Sequence, residues 1–231
     1  MRLQKTARKK AAGSTGEPGF SLTERAYRHL EEMIVTLQLP PGSAVSETAL
    51  SQRLGIGRTP IREALQRLAR ERLVAILPRR GIIVSEINVK SQLRLLEVRR
   101  EVERLVAKSA ARRATSEERA QFIDLARRFE KSAKTNDDVA FMRVDRAFND
   151  LSVMAARNEF AAGAMSLMHS LSRRFWYIHY KQAADMPLTA KLHADIARAI
   201  GAGEEAAAGK AMDRLLDSVA KFTRDTVTTD F

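Results

Sequence analysis

Arg58, Thr59, Arg62 and Gln66 are hydrogen-bonding side chains at helical spacing, and Arg62, Gln66 and Arg70 recur every four residues. On one helix that interval stacks them along a solvent-facing side. An arginine there bonds a guanine edge through two nitrogens or bridges phosphates, whereas threonine and backbone amides mostly fix register. Arg58 and Arg62 are assigned base readout. The chemistry expected is recognition of a duplex.

Such a face needs a packed body behind it. Leu22 to Leu37 carries Ala26, Leu30, Met33 and Ile34 at helical spacing before Leu39-Pro40-Pro41-Gly42 stops the helix. Ser46 can cap a second helix running to Leu54, which Gly55 ends in a left-handed turn. A third helix opens with Thr59 as expected N-cap and Pro60 at the first position, and buries Ile61, Ala64, Leu65, Leu68 and Ala69. Two helices joined by a short glycine-containing turn, the second presenting polar side chains, make a helix-turn-helix. Leu73 to Leu77 and Gly81 to Val84 read as strands around Pro78-Arg79-Arg80-Gly81, a wing with a basic tip.

Beyond a boundary near residue 87 only helical patterns follow. The spacing predicts six helices, at about 89–113, from Thr115, 137–156, 158–182, 188–200 and 204–228. Leu95, Val98, Val102 and Leu105 are the expected buried stripe of the first. Thr115 and Glu118 form a capping box ahead of Phe122, Leu125, Ala126 and Phe129, and Gly201 is expected to end the fifth helix. The fold class is mainly α: a winged helix-turn-helix over 20–87, then an all-helical domain over 88–231. Residues 1–19, with Arg2, Lys5, Arg8, Lys9 and Lys10, read as a flexible basic arm, either a solvated tail or a source of extra phosphate and minor-groove contacts.

The composition agrees with a polyanionic partner. Forty Lys and Arg against 28 Asp and Glu leave a formal charge of +12 in 231 residues, a field that attracts nucleic acid. The absence of cysteine excludes disulfides and thiolate metal sites. No apolar run is long enough to span a bilayer and the N-terminus lacks the apolar stretch of an export signal, so a cytoplasmic location is expected.

Val45 to Leu73, centred on Arg58-Thr59-Pro60-Ile61-Arg62-Glu63-Ala64-Leu65, resembles the GntR family of bacterial regulators, and the resemblance extends over most of residues 20 to 87. It implies DNA contacts from Gly57, Arg58, Thr59, Arg62 and Gln66, and from a wing tip, Arg79, Arg80 and Gly81, reaching the minor groove. Thr48 stands where several members of that family carry a DNA-touching arginine early in the second helix. Glu63 matches an acidic position read as structural, because a carboxylate facing phosphates is repelled.

The remaining residues resemble the helical effector domain of the FadR-type branch, known as FCD, through Glu97-Val98-Arg99, Asp145-Arg146-Ala147-Phe148-Asn149 and His193 to Ile200. Six helices rather than seven resemble its VanR-like subgroup. The resemblance implies a homodimer, a small-molecule effector and a site for a divalent metal such as zinc or nickel. Asp145 and His193 match metal ligands of that family, but Asn149 replaces one histidine and Leu215 occupies the last ligand position, so a metal-free or weak site is expected. The alternatives are a satisfied buried polar network, or a pocket formed by Arg99 or Arg100 with Asp145, Asn149, His179 and His193 that takes a small carboxylate or polar metabolite. Phe175 and His179 share one helix face, and Trp176, Tyr177 and Tyr180 are assigned to a dimer surface.

Two other functions are weighed. A protein that coats DNA by charge alone predicts a steep salt slope without sequence preference, and the helix-turn-helix opposes it. A helical metalloenzyme built on Asp145 and His193 has too few ligands and no placed acid or base.

Overall fold

The computed structural model describes residues 20–79, 81–135, 137–183 and 185–229. The basic segment 1–19 and Arg80 lie outside the described residues. The order is α1 (Leu22–Val35), β1 (Ala44–Val45), α2 (Glu47–Leu54), α3 (Arg58–Arg70), β2 (Val74–Leu77), β3 (Gly81–Val84), α4 (Val89–Arg113), α5 (Ser116–Thr135), α6 (Asp138–Ala156), α7 (Glu159–Ser166), α8 (His169–Ala183), α9 (Met186–Ala202) and α10 (Glu205–Thr229).

In the N-terminal part, α1 to α3 close on Ala26, Leu30, Ile34, Leu50, Ile61, Ala64, Leu65 and Leu68. Burying each large aliphatic side chain contributes about 1.5–3 kcal/mol. The sheet has the order β1-β3-β2, all antiparallel, and Val74↔Val84 through Leu77↔Gly81 set the wing register. Val74, Ile82 and Val84 turn inward onto the three helices, which fixes the wing against α3.

The larger cluster lies among α4, α5, α6, α8, α9 and α10, around Phe122, Phe129, Phe148, Ala197 and Leu216. The capping box forms as expected: Glu118 N–H donates to Thr115 Oγ1 at 3.2 Å and Thr115 N–H to Glu118 Oε2 at 2.9 Å. Thr115 therefore ends the loop and starts α5 in one motif.

Four expectations are corrected. The helix expected over 158–182 is divided at Leu167 and Met168 into α7 and α8, so this part has seven helices among the described residues and the count that suggested the VanR-like subgroup does not hold. In α4, Val98 and Leu105 are 55% and 48% exposed, while Leu96, Val106, Ala107 and Ala110 are buried. Gly201 does not end α9. It continues the helix where a side chain would strike Ile123 (2.7 Å from Cδ1), and Gly203, at φ 78°, is the left-handed C-cap. Trp176 is buried, its ring 5.0 Å from that of Phe141, rather than at a surface.

Candidate nucleic-acid interface and ligand pocket

Helix α2 is short and locally determined. Ser46 Oγ accepts from Ala49 N–H at its start, and Gly55 takes φ 64° at its end, a conformation that a side chain would disfavour. Gly57 then caps α3, with no side-chain cap bond. Thr59 is thus not the N-cap and Pro60 is the third residue of α3 rather than the first. The first four helical N–H groups lack intrahelical acceptors, so proline still costs nothing there.

The consequence is a two-sided helix. Ile61, Ala64, Leu65 and Leu68 are buried, while Arg58, Thr59, Arg62, Glu63, Gln66 and Arg70 are exposed. Thr48 on α2 and Gly57 in the turn are exposed beside them, and Arg79 and Gly81 are exposed at the wing. Arg79 and Gly81 both have positive φ, 62° and 84°, which turns the strands sharply at the tip.

Arg62 is not free. Its Nε and Nη2 donate to Glu47 Oε1 and Oε2 at 2.9 and 2.8 Å, and these hydrogen bonds hold the Glu47 carboxyl below its ordinary value. Glu63 accepts from Thr23 Oγ1 at 2.6 Å, tying α3 to α1. Behind α3, Arg67 lies 3.5 Å over the Tyr27 ring and pairs with Glu24 and Glu71, and Tyr27 donates to Glu71 at 2.8 Å. Burial raises the Glu71 carboxyl above its ordinary value. The Glu47–Arg62 and Tyr27–Glu71 contacts are not visible in helical periodicity, because each joins two helices.

In the helical part, a cavity of about 50 Å³ is lined by Arg99, Phe141, Asp145, Asn149, His169, Ser172, Arg173, Trp176, His193 and Leu215, among others. Of the expected pocket residues it includes Arg99, Asp145, Asn149 and His193. Arg100 points elsewhere and pairs with Asp217 at 2.6 Å, and His179 packs on Phe175 with ring centres 4.6 Å apart. Both are therefore removed from the pocket.

Asp145 is the centre of the site. Oδ1 accepts from Asn149 Nδ2 at 3.2 Å and faces His193 Nε2 at 3.3 Å, while Oδ2 forms an ion pair with Arg173 Nε at 2.9 Å. Burial raises the Asp145 carboxyl, but the His193 hydrogen bond and the charge of Arg173 outweigh it and bring it down to about 2. His193 Nδ1 sits 2.8 Å from Thr189 O, and Arg99 bonds Glu103 and Ser172. Desolvation lowers His169 from its ordinary 6.5.

Arg173, His169 and Ser172 are not among the residues expected from the sequence, and Trp176, expected at a dimer surface, joins them on the cavity wall. They are spaced as one face of α8, which puts two cation-capable side chains and a tryptophan on a single stripe. The signal available was their i, i+3, i+4, i+7 spacing, 169, 172, 173 and 176.

The donor set does not fit the metal that the resemblance implies. His193 alone has the posture of a ligand, with Nδ1 anchored on a carbonyl. Asp145 is engaged by Arg173, the amide nitrogen of Asn149 faces that carboxylate, and Leu215 presents only carbon. No group of three or more His, Cys, Asp or Glu converges anywhere among the described residues. Two arginines on the wall favour an anion instead.

Comparison with known proteins gives the same two parts. Residues 94–218 match the model of the FCD domain, and residues 22–84 that of "Bacterial regulatory proteins, gntR family". The HTH-type transcriptional repressor RspR of Escherichia coli is 26% identical over 209 residues, covering 90% of this chain and 91% of that protein. The HTH-type transcriptional regulator McbR of Escherichia coli is 23% identical over 178 residues, 75% of this chain and 77% of that one. The solved structure of E. coli McbR/YncC overlays with a TM-score of 0.77 at 17% identity, covering 90% of this chain and all of that chain (100%), a likeness of fold.

Proposed function

This chain belongs to the FCD family of regulators with a GntR-type DNA-binding domain, and from that premise we propose that it reads a specific operator and answers to a small carboxylate held in its helical domain. It is a DNA-binding transcription regulator and not an enzyme. The observation that carries the finer reading is α3, whose apolar face is sealed against α1 and α2 while Arg58, Thr59, Arg62 and Gln66 stand outward. Arg58 and Arg62 read base edges; Thr59, Gln66, Thr48 and the Gly57 turn fix register. Arg79 and Gly81 bring the wing tip to the minor groove and the phosphates that flank it.

The working unit is a homodimer whose two α3 helices meet a pseudo-palindromic site. Val98 and Leu105 on α4, with Phe160 on α7 and Leu167 at its end, support this reading: they are large apolar side chains 48% to 81% exposed on two helices that pack together. A second copy covers them. No described helix is long and apolar enough to cross a membrane, and the proposed place of action is the cytoplasm. The domain boundary is placed near residue 87, between β3 and α4.

The effector is small because the cavity is about 50 Å³, and anionic because Arg99 and Arg173 are its strongest donors. The test is selection of bound duplexes from a random pool by the full-length protein at physiological ionic strength. A recurrent pseudo-palindrome is the expected result. Equal retention of all sequences would overturn operator reading and leave charge-driven coating as the function.

A further inference from the structure

Arg173 has a second set of partners outside the cavity. Its Nη1 donates to Glu31 Oε1 at 2.6 Å and its Nη2 to Met142 O at 2.7 Å, while its Nε faces Asp145 in the cavity. Glu31 belongs to α1 of the DNA-binding domain, is 1% exposed, and is also paired with Arg146 of α6. Burial raises the Glu31 carboxyl, but Arg173 and Arg146 outweigh it and keep it ionised. One guanidinium thus spans the wall between the effector cavity and the first helix of the other domain.

The local charges leave no idle cation for a ligand. Arg99 is occupied by Glu103, and Arg173 and Arg146 by Asp145 and Glu31. The Nε atoms of Arg173 and Arg146 keep no hydrogen bond among the described residues, but both guanidinium groups are ion-paired, so an entering carboxylate competes with a resident one for their charge. Asp145 is also held by Asn149 and His193 within the helical domain, and Glu103 lies one turn from Arg99 on the same helix. Glu31 is the resident carboxylate that arrives from a separate folding unit and can leave with it.

We propose that the effector carboxylate and Glu31 compete for Arg173, so that ligand entry unfastens α1 from the helical domain and frees the DNA-binding domain to move. This rests on the carboxylate reading given above and adds its means of transmission. By reciprocity, whatever weakens the Glu31 contact strengthens ligand binding by the same factor.

The full-length protein is screened by thermal shift and calorimetry against acetate, succinate and citrate, and the best binder is carried forward. Glu31→Gln is expected to tighten that binding about fivefold or more. Arg146→Met, which leaves Arg173 as the remaining cation paired with Glu31, is expected to weaken it, so a variant that fails to fold leaves the other with an opposite sign to test. A purely structural role for Glu31 predicts weaker or unchanged binding in Glu31→Gln, and that result overturns the competition.

A second readout needs no ligand. The chain has no cysteine, so labels placed through Gln52→Cys on α2 and Lys131→Cys on α5, both exposed, report the interdomain distance when labelled protein is diluted into unlabelled. Glu31→Gln is expected to broaden that distance distribution. An unchanged distribution overturns the tether. Absence of binding by all three acids, with a broadened distribution, overturns the carboxylate reading and keeps the tether.

Discussion

Arg62 on the exposed face of α3 is clasped by Glu47 at the start of α2, two nitrogens on two oxygens at 2.9 and 2.8 Å. A long side chain that would otherwise sample many rotamers is thereby held against the first turn of α2. The carboxylate serves as a splint, and it also lowers the positive potential that DNA meets.

The splint separates specificity from affinity. Arg62→Ala is expected to reduce the preference for a selected operator over random duplex by roughly tenfold to a hundredfold. Glu47→Gln keeps the arginine but releases its geometry, so binding to random duplex should rise while the preference falls. Titrations of both duplexes in parallel check this, and a Glu47→Gln protein that gains equally on both would show that Glu47 only repels.

The wing should behave differently. Arg79 stands at its exposed tip and is expected to meet phosphate, so Arg79→Ala weakens all sequences nearly alike and reduces the slope of log affinity against log salt by about 1. A loss confined to the operator would make Arg79 a base reader.

The parts legible in the sequence were those decided by neighbours along the chain. Ser46, Gly55 and the Thr115/Glu118 box are satisfied within a few residues, and the apolar face of α3 follows its own spacing. The errors arose where distant packing decides. Helix α4 buries Gln92 because Ser172 of α8 satisfies it, so an apolar stripe drawn through Val98 and Leu105 turned toward the wrong side. Gly201 reads as a stop in one dimension and is a contact with Ile123 in three. Arg173 was invisible because arginine is ordinarily a surface residue, and only the approach of α1 and α6 to α8 explains its burial.

The cavity also sets the response to acid. Desolvation holds His169 below its ordinary 6.5, so the unfolded chain takes up that proton first. The folded state therefore loses stability as pH falls through about 6.5. Asp145, brought down from 3.8 to about 2, contributes stability above 3.8 that disappears as pH falls from there toward 2. Urea midpoints measured at pH 7.5 and 5.5 should fall less in His169→Gln than in the unaltered protein, whereas the loss below pH 4 should persist. Equal falls between pH 7.5 and 5.5 would place the first proton elsewhere.

Metal removal gives a contrasting expectation. With Asp145 paired to Arg173 and Leu215 at the last ligand position, dialysis against a chelator should leave the melting temperature and operator affinity unchanged. A fall in either, reversed by zinc or nickel, would show that the site reorganises around an ion.

Arg174 offers a test of how the linker is held. It is 2% exposed; Nη1 and Nη2 donate to Ser85 O at 2.8 Å and Glu86 O at 3.3 Å, and burial brings its pKa down to about 10 against the opposing charge of Glu86. A buried cation whose hydrogen bonds go to carbonyls, with Glu86 as a weaker countercharge, is costly to keep, and it fastens the segment between β3 and α4 to α8. Arg174→Met removes the desolvated charge and the fastening together. The protein should stay folded with little change in melting temperature, while cleavage after Glu86 by a glutamate-specific protease accelerates. Unchanged cleavage would mean that packing of Leu171 against the N-terminal core, rather than the guanidinium, holds the two domains together.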